Sequence, residues 1–449
     1  MRACEPKDNH PSRTFRSTRR AMLQRAIASG LGLCAWTSNG LIRSASSIEP
    51  CPHEAQWLSP SIALSADGRP WFINRPTAAV VHGGTLLVGT PAIEWSDSSA
   101  ATAGPPRGEA RGGAVLLPNG RLRPITLPPS TLSWMSPIAV PNDDSVADVV
   151  WGTHPDTGHF ASFMATALWH ARFDGERWSA PEKIAEADAI WWDASSVAVV
   201  NVADVLHVVA RAYDNVHSAQ PWSGAIYARW RDHHWSVTPL HPPHFVPRYL
   251  AVFGTGDELQ LLYTGTVREG SSLEFNALAR MRSSDNGLTW SDPKLIRRLT
   301  GRNGYWLRAD SLPPNGLQLS WVALPDTTSD VSRVEQLVST DGEVWRDAIA
   351  LEVPGRVSAY ASVDSRSGLH LVLQSMENAA YTVNWRLEGW SSLTAIPADG
   401  PVSTPTFLRI AGDRTLLAWN TLFQAAVPNN SSLAPHLVTS QLTETCRER

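Results

Sequence analysis

Cysteine, methionine and long apolar runs are what this chain of 449 residues has least of, with 4 Cys and 6 Met. No stretch reaches the roughly 18 to 20 apolar residues of a membrane helix, so a helical span is excluded. Positive charge is also short. The 38 Lys+Arg stand against 42 Asp+Glu, a formal −4, which is not the basic excess of a nucleic-acid binder and not lopsided enough for a disordered tail. There is no glycine-rich phosphate loop, no zinc-ligand spacing, no Ser-His-Asp signature and no Asp-x-Asp-x-Asp run, so neither a metal nor a cofactor is expected. Tryptophan is what the chain has in excess, with 20 residues, while 33 Pro and 30 Gly are spread along its length. That composition argues for many short strands and turns, with tryptophan packed at repeated positions or displayed for a ligand.

Residues 1–46 do not read as fold. Ser17-Thr18-Arg19-Arg20-Ala21-Met22-Leu23-Gln24 sets two adjacent arginines before a short apolar run from Ala26 to Trp36, and small residues follow at Ser44-Ala45-Ser46. The segment resembles a twin-arginine export signal, which implies a periplasmic or secreted protein. It holds eight of the 38 basic and two of the 42 acidic residues, leaving 30 against 40, so the mature chain is near −10. Cys4 and Cys34 leave with it. Cys51 and Cys446 remain, one near each end, and they can form a disulfide in an oxidising compartment if the fold brings the ends together.

The remainder, 47–449, reads as one domain built on a repeat of about 55 residues. Its clearest element is Ser283-Ser284-Asp285-Asn286-Gly287-Leu288-Thr289-Trp290, an S-x-D-x-G-x-T-W pattern. Worn copies stand at Phe173–Ser179, Arg231–Ser236, Ser339–Trp345 and Leu387–Ser391; Asn119-Gly120 fills one slot without Asp or Trp, and Ser65–Trp71 begins the series. Asp and Gly make a tight turn between antiparallel strands, and the Trp packs beside it. Between the corners lie strands of small-apolar, turn, Leu-x-Leu character, as in Gly368-Leu369-His370-Leu371-Val372-Leu373. Seven such strands and seven corners predict an all-β, seven-bladed β-propeller of four-stranded blades, with six blades as the alternative count. The N-terminal strand, Ser65 to Ile73, would join the last blade, close the ring and bring Cys51 near Cys446.

Corners of this form and spacing resemble those of the sialidase superfamily of propellers, the BNR or Asp-box repeat proteins, over about residues 58 to 442. The resemblance implies a glycoside hydrolase that acts on a carbohydrate, acidic sugars included, at a face built from the loops leading into the inner strands. By position it implies an arginine triad Arg75, Arg248 and Arg308 for a sugar carboxylate, Tyr360 as nucleophile and Asp97 as acid/base. The pattern departs from the family at Ile73-Asn74-Arg75-Pro76, where an Arg-Ile-Pro run is usual, and no glutamate stands at the head of the Tyr360 strand.

Trp134, Trp192, Asp193 and Trp306 lie in the same leading loops and complete the expected sugar-binding set. A polysaccharide lyase is the alternative, with His154 and Tyr249 as proton-transfer groups beside Arg248. The third reading is a binding module without chemistry. A monomer with a carbohydrate ligand, and no nucleic-acid partner, is expected throughout.

Overall fold

The computed structural model describes residues 53–63, 74–90, 113–128, 135–142, 145–153, 164–191, 196–214, 222–240, 245–255, 258–269, 273–300, 304–312, 316–324, 330–365, 368–377, 379–386, 389–396, 402–410, 414–424 and 433–446, with the short strands Leu33–Cys34 and Arg43–Ser44. The described chain is all β, with no helix, and its sheets are antiparallel meanders. Each meander opens on a strand rich in small and β-branched residues. These first strands are β1 (Asn74–Val81), β2 (Met135–Pro141), β3 (Val197–Val202), β4 (Phe245–Thr255), β5 (Tyr305–Leu312), β6 (Val357–Ser365) and β7 (Val402–Ile410). The meanders that begin at β2 and β3 join into one eight-stranded sheet through Ala189↔Tyr213 and Ile190↔Ala212. The others are separate sheets.

Alternation along the strands sends one set of side chains to each neighbouring sheet, and the apolar clusters lie between sheets. Leu262, Leu278 and Phe253 of the β4 sheet meet Leu307, Leu319 and Trp321 of the β5 sheet in one such layer. First strands touch their successors from β1 through β7, and β7 in turn touches β1. The last sheet also takes two strands from the N-terminal side, His53–Trp57 and Ser61–Ile62, which pair with Leu433–Cys446. Sequence pattern assigned that role to Ser65–Ile73. The joining strands lie earlier in the chain, and residues 64–73 lie outside the described residues.

The corners are held by side-chain hydrogen bonds to backbone. Asp285 accepts from the Thr289 hydroxyl (2.6 Å) and amide (2.9 Å) and from Ser283 Oγ (2.7 Å). Those bonds hold its carboxyl at about 2. Gly287 has φ +82°, and a Cβ there would overlap the Tyr227 hydroxyl of the preceding meander. The corner of one sheet is thus packed onto the sheet before it. Arg229 donates to the Asn286 carbonyl, and Arg280 to the Gly342 carbonyl and to Glu343 (2.6 Å). Two corner tryptophans bridge in the same direction, Trp178 Nε1 to the Thr126 carbonyl and Trp390 Nε1 to the Ile349 carbonyl, each at 2.8 Å.

Three further tryptophans share a position that sequence pattern did not single out. Trp151, Trp321 and Trp419 are the largest fully buried side chains, and each sits on the second strand of its meander. Opposite each, the first strand carries a bulge of two residues: Ser136-Pro137, Trp306-Leu307 and Thr404-Pro405. Smaller shifts occur at Arg248 in β4 and Ser358 in β6, and a further one spans Asn74 to Thr77 in β1. A bulge bends the strand and re-aims the neighbouring side chains. The leading end of most first strands is therefore irregular, and this is the end that carries the candidate residues.

Candidate functional site

The leading segments are positioned by a repeated bond. A backbone carbonyl of one sheet accepts from a side chain of the sheet before it: Pro137 from Thr77 (2.9 Å), Arg248 from Ser196 (3.1 Å), Gly304 from Thr264 (2.6 Å) and Val402 from Gln374 (2.9 Å). These donors sit between packed sheets, where losing the bond would leave a polar atom unsatisfied. Sequence reasoning missed them, because a threonine or serine in an apolar strand carries no distinctive signal.

On this frame the leading ends of β4 and β5 present a continuous shelf. The Arg248 side chain is exposed at its bulge, with its guanidinium carbon 5.2 Å from the Tyr305 ring centre and 5.9 Å from that of Tyr249. Tyr249 and Tyr305 are half-buried with ring centres 5.8 Å apart, and Tyr305 lies 5.8 Å from Trp306. Trp306 has φ +50°, a left-handed conformation rare for a bulky residue. Arg211 of the β3 meander stacks over Trp191 of the β2 meander at 4.0 Å. Aromatic faces suit the C–H faces of sugars, and an exposed guanidinium suits a carboxylate.

The structure thus brings Arg248, Tyr249 and Trp306 together, and adds Tyr305, which lay in the segment marked by sequence. Arg308 follows on β5 and points away from solvent: it is half-buried, its guanidinium donates to the Tyr360 carbonyl at 3.4 Å, and its Nε is buried without a hydrogen-bond partner. Arg75 lies at the start of β1, where the backbone alone is described. Asp97, Trp134, His154, Trp192 and Asp193 lie outside the described residues, as does Cys51. Cys446 ends the last strand, with its backbone opposite His53.

Tyr360 occupies a different environment from the one its expected role needs. Its ring is 4% exposed and packs with Val322, Val334 and Leu371 between two sheets. Its hydroxyl bonds Ser320 Oγ, and burial, reinforced by the Asp310 carboxylate, pushes the phenol up. A tyrosine nucleophile needs a base at its oxygen and open access to the sugar. The Tyr360 oxygen instead has Ser320 as its hydrogen-bond partner and lies inside the packing between the two sheets.

The chain matches no protein-family model and no curated protein. Among solved structures it is similar to a PL25 ulvan lyase bound to -[GlcA(1-4)Rha3S]-, at 14% identity and TM-score 0.47, over 85% of this chain and 95% of that one. It is also similar to an α-L-arabinanase of Penicillium chrysogenum complexed with arabinobiose, at 11% identity and TM-score 0.43, over 71% and 96%. A third likeness is to the sialidase of Trypanosoma rangeli with 2,3-difluorosialic acid, at 12% identity and TM-score 0.39, over 81% of this chain and 59% of that one. At such identities and scores the likenesses carry no weight for the chemistry, which rests on the side chains described above.

Proposed function

We propose that the shelf of Arg248, Tyr249, Tyr305 and Trp306 binds an acidic carbohydrate and cleaves it by β-elimination. The observation that carries this reading is the exposed Arg248 guanidinium lying against two half-buried tyrosine rings, with a tryptophan next to them. Arg248 pairs with a uronate carboxylate, and neutralising that charge acidifies the C5 proton. Tyr249, as phenolate, takes the proton. The C5–H electron pair becomes the C4=C5 double bond, the C4–O bond breaks, and the departing oxygen takes a proton from water. Hydrolysis through Tyr360 has less support, because the oxygen that would attack is buried against Ser320.

Two products separate the readings. Elimination yields an ultraviolet-absorbing unsaturated uronate, whereas hydrolysis yields a new reducing end with no absorbance. The proposal expects absorbance to rise on incubation with a uronate polysaccharide, and to stop rising in Tyr249→Phe. A new reducing end without absorbance would point to hydrolysis, and neither product would point to a binding module.

The same reading takes the chain as a seven-bladed propeller whose ring the segment 53–63 closes. It is supported by the unbroken succession of first-strand contacts from β1 to β7 and back to β1. Export through the leader at 1–46 and a Cys51–Cys446 disulfide belong to it as well. Pairing of His53 with Cys446 brings the backbone to within two residues of Cys51 and supports the latter.

A further inference from the structure

The first-strand positions of β5 that face the β6 sheet carry polar side chains where the equivalent positions of other first strands are apolar. On β5, Arg308 stands opposite Ser320 and Asp310 opposite Gln318. The equivalent pairs of first-strand positions are Ala198 and Val200 on β3, Ala251 and Phe253 on β4, and Ala361 and Val363 on β6, all within apolar clusters. Asp310 is 3% exposed and accepts from Ser362 Oγ at 2.8 Å and 3.0 Å, while Arg308 reaches the Tyr360 carbonyl. Both partners lie on β6. Burying a carboxylate beside a half-buried arginine, where apolar residues stand elsewhere, is unfavourable unless the two serve another end.

That end lies two residues up the strand. Trp306 and Leu307 form the bulge opposite Trp321, and Trp306 is left-handed there. On one side of the bulge, Thr264 of the β4 sheet holds the Gly304 carbonyl at 2.6 Å. On the other side, Arg308 and Asp310 hold β5 to β6. A strained residue persists only where its surroundings over-determine it. We infer that Arg308 and Asp310 are positioning residues that lock the β5 bulge and so hold Trp306 in its left-handed, sugar-facing conformation. The inference rests on the proposed carbohydrate site for its meaning, and on the β5 geometry alone for its mechanism.

The test replaces the pair by the residues of the β6 layer, Arg308→Ala with Asp310→Val, and compares this variant with Asp310→Asn, which keeps an acceptor for Ser362. Melting temperature, a crystal structure and calorimetric titration with a glucuronate oligosaccharide are measured for each. The double variant should melt at or above the wild-type temperature, should show Trp306 out of the left-handed region, and should bind the oligosaccharide at least tenfold more weakly. Asp310→Asn should retain the Trp306 conformation and bind within about threefold of wild type. Trp306 unmoved in the double variant overturns the inference, whatever the affinity. Failure of the wild type to bind the oligosaccharide overturns the carbohydrate reading instead, and leaves the crystal structures to decide the positioning claim.

Discussion

His207 lies fully buried on the second strand of the β3 meander, Val205–Asp214, with Nδ1 2.8 Å from the Tyr227 hydroxyl. Desolvation lowers its pKa to about 3, offset in part by the nearby Asn286 side chain and reinforced by Arg229. The folded protein therefore keeps His207 neutral where the unfolded chain, near 6.5, binds a proton. Stability is unaffected above 6.5 and falls by about 1.4 kcal/mol per pH unit from there toward 3 through this group. Urea melts at pH 7 and pH 5 should differ in this direction, and His207→Gln should flatten the difference. Tyr360 makes a second residue-level prediction. Tyr360→Phe should cost about 1 kcal/mol through the lost Ser320 bond and leave glycan turnover within about twofold. Much of the shelf was legible in sequence, since Arg248, Tyr249 and Trp306 stand in a leading segment rich in aromatic and basic residues. The burial of Tyr360 was not, because strand alternation alone does not say which face of an inner strand meets the next sheet, and a bulge upstream shifts the phase.

At the scale of the element, corners and alternation were the readable features. Ser283 to Trp290 contains its own turn chemistry, and sequences such as Leu369-His370-Leu371 mark strands buried on both faces. The first-strand bulges were not readable, because the extra residues have no common identity: Ser136-Pro137, Trp306-Leu307 and Thr404-Pro405 share the buried tryptophan opposite them rather than a motif. That tryptophan should be costly to remove. Trp419→Ala should destabilise by about 3 to 5 kcal/mol, measured by denaturant melt, because it opens a large cavity among Val363, Phe407 and Val438. The tight turn at Ala203-Asp204 predicts the opposite sign. Both residues are left-handed, at φ +51° and +63°, and join strands paired as Val202↔Val205. Replacing them by Asn-Gly should stabilise the protein by about 0.5 to 1 kcal/mol, since these residues adopt the turn with less strain.

At the scale of the whole molecule, the N-terminal strands and the Arg248 face each invite a test. The strands His53–Trp57 and Ser61–Ile62 complete the last sheet, so deleting residues 1–63 should lower the melting temperature sharply, whereas deleting 1–46 should leave it unchanged. Sequence indicated an N-terminal strand in that sheet but placed it at Ser65–Ile73, because the corner-like Ser65–Trp71 was the nearest recognisable signal. The claim that matters most is that the Arg248 shelf selects an acidic sugar. Calorimetric titration with a glucuronate oligosaccharide and with its carboxyl-reduced counterpart tests it most directly, in wild type and in Arg248→Ala. The account predicts at least tenfold tighter binding of the acidic form by the wild type, with that preference abolished in Arg248→Ala. Equal affinity for the two sugars, or a preference that survives the substitution, would contradict it.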